Sequence, residues 1–553
     1  MNRIYEIFAF NEQKPLIFTQ LDFWLFFIAV MILFSFTHKN YLIRSFYLTV
    51  VSLFFYFKTS GLYVLLLGLS LIVNYFLGKG IYVAPSDKKK KLFIVLSVLF
   101  NVLTLAYFKY AYFFTDSFNA LFQTDFKVVN QLAYWANGVV GEKYFVEKII
   151  LPVGVSFFTF QSISYVVDIY RKEIEPVKNF FDYTFFVTFF PQLVAGPIVR
   201  ARDFIPQIRQ PHQLNKREFS DAIAQITKGL IKKIVLADYI AVHFIDKIVD
   251  APEAYPGFVS VLAMWGYSLQ IYGDFSGYTD IAIGISRLMG FKLLENFNSP
   301  YKATSVADFW RRWHKSLGSW LRDYLYIPLG GNKGGGIGTY IATLVIFTFL
   351  IFITRWYELI YIYLGLTALY LILYNAVPSF KTYFHRDLNL LITMVVGGLW
   401  HGASANFVIW GAMNGTALIL YNHWKKISPY EQSNALLIRF WRIFLTFNFI
   451  TFTRIWFRLE DEGAPMIMLN HIIQHFDFKW DTFVMVLKTY QIVFWIILAG
   501  YIVHWLPQDW KDKVLELFSK APMPVQAIAV SLTVFLMYQA VSDTFKPFVY
   551  FQF

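Results

Sequence analysis

Residues 388–421 read LNLLITMVVGGLWHGASANFVIWGAMNGTALILY and contain no aspartate, glutamate, lysine or arginine. A helix needs roughly 20 mostly apolar residues to cross the hydrocarbon core of a membrane. The run is therefore long enough to reach membrane depth. The glycines at its centre predict a break inside the span. Irregular backbone at that depth must be buried in protein or line a cavity, so we expect a cavity or a close helix contact there.

Similar apolar runs recur along the chain. They lie at 21–36, 42–57, 62–77, 92–114, 151–167, 183–199, 223–245, 258–272, 339–353, 358–377, 438–457, 491–506 and 524–541. Charged residues make up 15% of the chain, against about a quarter in a soluble globular protein. The pattern predicts an all-α, polytopic membrane helical bundle of roughly a dozen hydrophobic elements. We expect one membrane domain over 1–553, with re-entrant or interfacial amphipathic helices around a central cavity.

The polar parts of the chain are short. Polar loops are predicted at 115–148 and 200–222 and an acidic-to-mixed segment at 459–482, and each is too short to form a catalytic domain. Any chemistry must therefore be built from residues in or near the bilayer. Residues 1–20 lack the features of a cleavable signal peptide, so the first span is expected to act as the insertion signal.

Net charge and cysteine content exclude several classes of function. The formal charge of +13 comes from short basic loops beside apolar runs, such as Lys88–Lys91 and Arg200–Arg217. Such loops tend to stay cytoplasmic and favour anionic headgroups, so membrane lipid and not nucleic acid is the expected partner. The chain has no cysteine, which excludes disulfides, thiolate metal sites and an acyl-cysteine on this chain.

His401 lies near the middle of the uncharged run 388–421. An ionisable residue at membrane depth is costly to bury and usually serves function. Gly397, Gly398 and Gly402 allow a backbone or a substrate to approach closely. The structural alternative is a histidine hydrogen-bonded to a neighbouring helix. His401 is the strongest catalytic candidate, and the adjacent Trp400 is a candidate for the cavity or substrate-binding site.

A second group of polar residues begins with Asp274 and Asp280 at the end of an apolar run. A carboxylate at membrane depth normally faces a cavity or a partner. The alternative is that both residues end a span at the interface. We expect Asp274 to support the site and Asp280 to be structural.

Ser305–Asp308 resembles a helix N-cap, and the residues after it predict one amphipathic helix at 100° per residue. Its apolar stripe would contain Trp310, Trp313, His314, Leu317, Leu321 and Tyr324, and its charged face Asp308, Arg311, Arg312, Lys315, Arg322 and Asp323. Such a helix lies in the interface or borders a cavity. His314 is the second catalytic candidate, although a lone histidine on an apolar face is more often a core residue. Trp310, Trp313 and Asp323 are candidates for the cavity or substrate-binding site.

A buried imidazole is expected to be neutral near pH 7, because desolvation disfavours its charged form. A neutral imidazole can take a proton from an alcohol as the alcohol attacks an activated acyl group. A metal is not expected, because no carboxylate stands at the spacing typical of helical metal pairs. The glycine-rich segment 328–336 lacks the Gly-Lys-Ser/Thr ending of a phosphate-binding loop and is predicted to be a turn.

Three segments carry a resemblance to a known family. They are WRRWHKSL at 310–317, WLRDYLYIPLGGN at 320–332 and GGLWHGA at 397–403. They closely resemble the membrane-bound O-acyltransferase (MBOAT) family, in particular the bacterial branch that acetylates alginate or peptidoglycan. The segments 191–198, 270–280 and 548–553 fit the same branch, and the similarity runs from about residue 40 to the end.

The resemblance implies an MBOAT-like bundle in which His401 matches the essential histidine and His314 the second characteristic polar position. It implies transfer of a short acyl group, acetyl, from a cytoplasmic donor such as acetyl-CoA or another thioester, with no bound cofactor. The implied partner is a periplasmic or extracellular serine hydrolase-like acetyltransferase that modifies an exported or cell-surface polysaccharide. The implied location is the bacterial cytoplasmic (inner) membrane. Gly273 stands where the branch usually has cysteine, so a thiol at that position has no role here.

Other functions stay open at this point. D-alanyl transfer to teichoic acid and O-acylation of a lipid use similar chemistry, and a transporter could use a buried histidine as a proton relay. Transporters often have two related halves with broken helices in corresponding positions, and the sequence shows no such symmetry. For the acyltransferase we expect His314 and His401 to line one membrane-depth cavity that opens to both sides.

Overall fold

A computed structural model describes residues 10, 15–140, 149, 151–194, 196–354, 356, 358–541 and 548. Predictions that concern 1–20, 115–148, 191–198 and 548–553 therefore lie partly outside the described residues. The described part of the chain contains helices and turns but no β-strand. The prediction of an all-α helical bundle is confirmed.

The helices of the first half are α1 (Leu21–Thr37), α2 (Tyr41–Ser60), α3 (Val64–Val83), α4 (Asp87–Phe122), α5 (Gln131–Val140), α6 (Val155–Tyr170), α7 (Phe180–Thr188), α8 (Phe190–Leu193), α9 (Ala201–Ile208), α10 (Lys216–Ile231), α11 (Asp246–Asp250) and α12 (Gly257–Leu288). Those of the second half are α13 (Val306–Arg312), α14 (Lys315–Leu321), α15 (Ile337–Thr354), α16 (Leu359–Ala376), α17 (Pro378–His401), α18 (Ala405–Ile427), α19 (Leu436–Arg458), α20 (Ala464–Gln474), α21 (Trp480–Thr489), α22 (Gln491–Trp505), α23 (Gln508–Lys520) and α24 (Met523–Tyr538). Three π-helical segments lie at Lys232–Tyr239, Ala241–Ile245 and Arg322–Tyr326.

Long apolar helices make this a multi-pass membrane protein. Among the described residues, four helical stretches are long and apolar enough to cross a membrane: Tyr41–Val83, Asp87–Phe122, Leu359–Ala376 and Leu436–Arg458. The pair α21 and α22, bent by 88°, passes the same test as one broken span. The number of helices that could span a membrane is lower than the number of apolar runs, because several of those runs form short or deeply buried helices.

The core of the protein surrounds α12, whose residues are almost all buried. α12 packs against α10 through two glycines, because a Cβ at Gly229 would lie 2.6 Å from the carbonyl oxygen of Gly277. A Cβ at Gly273 would lie 2.9 Å from the carbonyl oxygen of Lys232. Glycine at position 273 therefore lets the π-helical segment Lys232–Tyr239 approach α12 closely.

The predicted loops 115–148 and 200–222 contain helices, so their assignment as loops was wrong, and the predicted polar segment 459–482 is also partly helical. The end of α4 and α5 lie within 115–148, α9 and the start of α10 within 200–222, and α20 within 459–482. Local capping explains α10: the Asn215 side chain accepts from the Glu218 N–H at 2.8 Å, and the Glu218 side chain accepts from the Asn215 N–H at 3.3 Å. This reciprocal capping starts a helix in polar sequence. Residues 141–148 lie outside the described residues.

The predicted amphipathic helix after Ser305 is broken. Ser305 caps it as predicted, with its Oγ accepting from the Asp308 N–H at 3.1 Å. α13 then ends at Arg312, and His314 adopts a left-handed conformation with φ 45° before α14 begins. A neighbouring segment causes the break, because the carbonyl oxygen and side chain of Asn296 accept from the N–H groups of Lys315 and Ser316 at 2.9 and 3.1 Å. The turn predicted at 328–336 is confirmed.

Candidate active site

His401 is the last residue of α17, at the tip of an antiparallel helical hairpin formed with α18. Gly402 has an extended conformation, and the Ser404 side chain then caps α18 by accepting from the Asn406 N–H at 3.3 Å. Gly398 allows the two helices to meet, because a Cβ there would collide with the carbonyl oxygen of Phe407. The glycines predicted to permit close approach therefore shape the hairpin that presents His401.

A lysine from another helix holds the end of α17. Lys109 of α4 donates from Nζ to the carbonyl oxygens of Trp400 at 2.6 Å and His401 at 3.1 Å. The hydroxyl of Tyr110 donates to the carbonyl oxygen of Leu399 at 2.8 Å. The last carbonyl groups of a helix have no partner within the helix, and a cation beside them is favourable.

The His401 ring is buried among aromatic rings. Its centroid lies 4.9 Å from that of Trp400, 5.2 Å from Trp410 and 5.2 Å from Phe457. The residue is 4% exposed and forms part of the wall of a narrow cavity. The aromatic residues of that wall are Phe275, Phe309, Trp310, Trp313, Trp410 and Phe457, and its polar residues are His401, Asn414, Thr453 and Arg454. In this conformation the cavity has room for about one water molecule.

His314 lies close to His401 but outside this wall. Its ring centroid is 4.6 Å from Phe275 and 6.2 Å from Trp400, and Trp400 also contacts His401. The residue is 2% exposed. His314 is not in the wall of the cavity beside His401, so the expectation that both histidines line one cavity stays a prediction. Its catalytic role, like that of His401, stays a prediction.

The three predicted tryptophans surround the two histidines. Trp310 and Trp313 line the cavity, although the break after Arg312 places them on a separate helix from the residues beyond His314. Trp400 is not in the cavity wall. It stacks on Phe160 with centroids 5.3 Å apart, and its ring centroid lies 6.2 Å from that of His314 and 4.9 Å from that of His401.

The two predicted carboxylates are paired away from the cavity wall. Asp274 forms an ion pair with Lys233 at 2.5 Å. Asp323 pairs with Arg200 at 2.7 Å and with Arg322 at 2.6 Å. Neither lines the cavity beside His401, and their role in supporting the cavity or the substrate-binding site stays a prediction. Each carboxylate joins two segments of the core, since a buried charge needs a close partner.

Asp280 also has a structural setting. It pairs with Lys232 at 2.7 Å and Lys228 at 3.2 Å, and it accepts from the Gln225 side chain at 2.7 Å. Lys232 and Lys233 thus come from one π-helical segment and neutralise both carboxylates of α12. The prediction that Asp280 is structural agrees with these contacts.

Sequence reasoning missed two cations beside His401. Lys109 lies in the otherwise uncharged run 92–114, and Arg454 lies near the end of the run 438–457. The rule that singled out His401, that an ionisable residue at membrane depth usually serves function, applies to both. Within the described residues, no three His, Cys, Asp or Glu side chains gather in a group that could hold a metal ion.

Comparison with known proteins connects this arrangement to a family. Residues 170–380 match the family described as MBOAT, membrane-bound O-acyltransferase family. This range includes His314 and ends before His401.

Three curated relatives differ in how much of each chain they match. The peptidoglycan O-acetyltransferase of Helicobacter pylori is 32% identical over 461 residues, which cover 79% of this chain and 75% of that protein. A protein of Azotobacter vinelandii named "Probable alginate O-acetylase AlgI" is 37% identical over 353 residues, covering 63% of this chain and 57% of that protein. The teichoic acid D-alanyltransferase of Bacillus subtilis is more distant, at 26% identity over 317 residues, which cover 55% of this chain and 68% of that protein.

A multi-pass helical membrane protein with a histidine at the tip of a buried helical hairpin, similar over most of its length to an O-acetyltransferase, is a membrane-embedded acyltransferase. The chain belongs to the membrane-bound O-acyltransferase family. Its chemistry is therefore O-acyl transfer, and the transporter alternative is set aside.

Proposed function

We propose that the chain transfers an acetyl group from a cytoplasmic thioester donor towards the hydroxyl groups of an exported or cell-surface polysaccharide. The observation that carries the proposal is the position of His401, at the end of a helix and in the wall of a cavity lined by aromatic side chains. The H. pylori and A. vinelandii relatives, whose names state O-acetylation of peptidoglycan and of alginate, support it.

The chemistry follows from a neutral imidazole in a buried site. His401 takes the proton of the acceptor hydroxyl as its oxygen attacks the carbonyl carbon of the thioester. A C–O bond forms, the C–S bond breaks, and the thiolate leaves and recovers the proton from the imidazolium. Because the chain has no cysteine, the acyl group passes without an acyl-cysteine on this protein.

The donor, the partner and the location belong to the same proposal. Acetyl-CoA or another thioester would supply the acetyl group, and no cofactor would stay bound. A periplasmic or extracellular serine hydrolase-like acetyltransferase would act on the polymer, and this chain would lie in the bacterial inner membrane. The short basic segment Lys88–Lys91 supports a cytoplasmic side for the start of α4.

The test is His401→Ala in cells that lack the unaltered gene. We expect the ester-linked acetyl content of the surface polysaccharide to fall about 100-fold to 10,000-fold, the usual loss when a general base is removed. Hydrolysis of the polymer with identification of the released acid distinguishes acetyl from D-alanyl esters. Membrane abundance of the variant is expected to equal that of the wild type.

A matched control is His423→Ala. His423 pairs with Asp387 at 2.7 Å, and its side chain is 47% exposed, so its loss is expected to leave acetylation unchanged. Normal acetylation in the His401→Ala cells would contradict a catalytic role for His401. Release of D-alanine in place of acetate would replace the proposed reaction with D-alanyl transfer.

A further inference from the structure

Arg454 places a buried positive charge in the wall of the cavity that contains His401. It lies on α19 and is 4% exposed. Its guanidinium carbon is 4.7 Å from the ring centroid of Trp313, 5.3 Å from Tyr301 and 5.8 Å from Phe309. Such cation–π contacts stabilise a cation inside an aromatic site.

The hydrogen bonds of Arg454 are few for a guanidinium with five N–H donors. Its Nη1 donates to the Tyr301 hydroxyl at 2.6 Å and to the carbonyl oxygen of Ser268 at 3.4 Å. Among the described residues, no carboxylate lies within 4.0 Å of it. By contrast Arg458, one turn further along the same helix, pairs with Asp246 at 2.9 Å.

The charge balance around the cavity is positive. The cavity wall contains no carboxylate, and Asp274 of the neighbouring α12 is engaged by Lys233. Lys109 of α4 bonds the carbonyl oxygens at the end of α17 through its Nζ. A buried cation without a carboxylate partner is costly, so the site is suited to receive negative charge from a ligand or a reaction intermediate.

We infer that Arg454 determines which acyl group the site accepts, by stabilising negative charge on the acyl carbonyl oxygen and by disfavouring an acyl group that carries an ammonium. The inference rests on the proposed acyl transfer. When the hydroxyl oxygen attacks, the electron pair of the C=O bond moves to the carbonyl oxygen, and fixed donors in a dry site stabilise such an oxyanion. The pair returns when the C–S bond breaks and the thiolate leaves.

The positive charge of Arg454 also distinguishes acetyl transfer from D-alanyl transfer, the two reactions named for the related proteins. An acetyl group is neutral, whereas a D-alanyl group carries an ammonium near its carbonyl carbon. Two like charges in a buried site repel strongly. A fixed guanidinium in a wall without carboxylates therefore favours acetyl over D-alanyl transfer.

The experiment compares Arg454→Gln with wild type, using permeabilised membranes that contain the full-length chain together with the partner that would act on the polymer. Donors are the acetyl and D-alanyl thioesters of N-acetylcysteamine, and the acceptor is de-O-acylated polysaccharide from the same cells. We expect wild type to prefer the acetyl donor. Arg454→Gln is expected to lose acetyl transfer by about 100-fold to 1,000-fold, as for removal of one oxyanion donor. The ratio of kcat/KM for acetyl over D-alanyl should fall by at least about tenfold, as expected when like-charge repulsion is removed.

Two variants separate the charge from its packing. Arg458→Gln removes an arginine one turn away, outside the cavity, and is expected to keep wild-type selectivity. Arg454→Lys keeps the positive charge and is expected to keep the preference for acetyl. Equal selectivity in wild type and Arg454→Gln, at normal abundance, would overturn the inference.

A binding measurement keeps the inference testable without activity. Thermal unfolding is followed with acetate against chloride at constant ionic strength, because a ligand that binds the folded state raises Tm. We expect acetate to raise the Tm of wild type and of Arg458→Gln but not of Arg454→Gln. If wild type transfers no acyl group yet shows this pattern, the proposed function fails while the anion site stands. The same response in all three proteins would overturn the anion site.

Discussion

Lys109 approaches His401 from a helix other than the one that carries the imidazole. Its Nζ bonds the carbonyl oxygens of the last two residues of α17, Trp400 and His401, where the helix dipole favours a cation. The side chain therefore fixes the position of the helix end and, with it, the direction of the imidazole. We regard Lys109 as a positioning residue for His401.

Replacement of Lys109 by methionine tests this role. We expect Lys109→Met to lower kcat by about 100-fold with KM little changed, because small displacements of a reacting group cost rates of this order. Lys109→Arg keeps a cation at the helix end and should recover part of the rate. Tyr110→Phe removes a single bond to Leu399 and should have a smaller effect. Wild-type kcat in Lys109→Met would show that the helix end needs no cation.

At this scale the sequence singled out His401 and the tryptophans near it, but not the long-range contacts of its charged residues. His401 stands out because the run around it has no other charge. The contact between Lys109 and His401 joins residues 292 positions apart, and no periodicity in the sequence indicates such a pairing. The same is true of Asp274, whose partner Lys233 comes from a π-helical segment of another element.

The hairpin of α17 and α18 depends on small residues at its contact. Gly398 meets the Phe407 carbonyl oxygen, and Gly411 meets that of Met394, so closely that a Cβ at either position would collide with backbone. Close backbone approach at glycine is a common way for helices to associate within membranes. The hairpin can therefore bring His401 to the cavity only while both contacts stay free of side chains.

Gly398→Ala is the element-scale test. The added methyl group must push α17 and α18 apart, and overpacking of this kind costs about 1–3 kcal/mol. We expect a lower Tm in detergent and reduced acyl transfer, since His401 lies one turn beyond the contact. Gly365→Ala is the control, because a Cβ at Gly365 of α16 meets nothing within 4 Å. Equal Tm values for the two variants would contradict the role of the contact.

The segment from Ser305 to Tyr324 shows where pattern reading fails. Its apolar spacing fits one helix, yet Asn296 takes the N–H groups of Lys315 and Ser316 and ends that helix at His314. A periodicity argument assumes that backbone groups pair locally. Here Asn296, from the loop between α12 and α13, supplies the acceptors, so its contacts override the local pattern and turn His314 into the core.

At the scale of the whole molecule, apolar sequence predicted the membrane class but not the number of spans. α6 is apolar and sixteen residues long, yet nearly all of it is buried, and α12 is likewise enclosed by other helices. A run hidden inside a bundle and a run that faces lipid have similar compositions. The two kinds of run differ in burial. Burial depends on which helices pack around the run, and the sequence alone does not show this.

The topology of α4 decides the side from which acceptor and donor reach His401. α4 has 36 residues and is therefore about 54 Å long at 1.5 Å per residue, against about 30 Å for the hydrocarbon core. Its two ends are expected on opposite sides, with Lys88–Lys91 in the cytoplasm. Lys109 lies about 33 Å along α4 from Asp87, so in this orientation the His401 end of α17 would lie towards the outer side.

Cysteine labelling tests this orientation without background, because the chain has no cysteine. Lys89→Cys should resist a membrane-impermeant maleimide in intact cells, whereas Asp125→Cys, just beyond α4, should react. Both should react after the inner membrane is permeabilised, which controls for accessibility of each site. Reaction of position 89 and protection of position 125 in intact cells would show that α4 has the opposite orientation. His401 would then lie towards the cytoplasm, and the acceptor would have to cross most of the membrane to reach it.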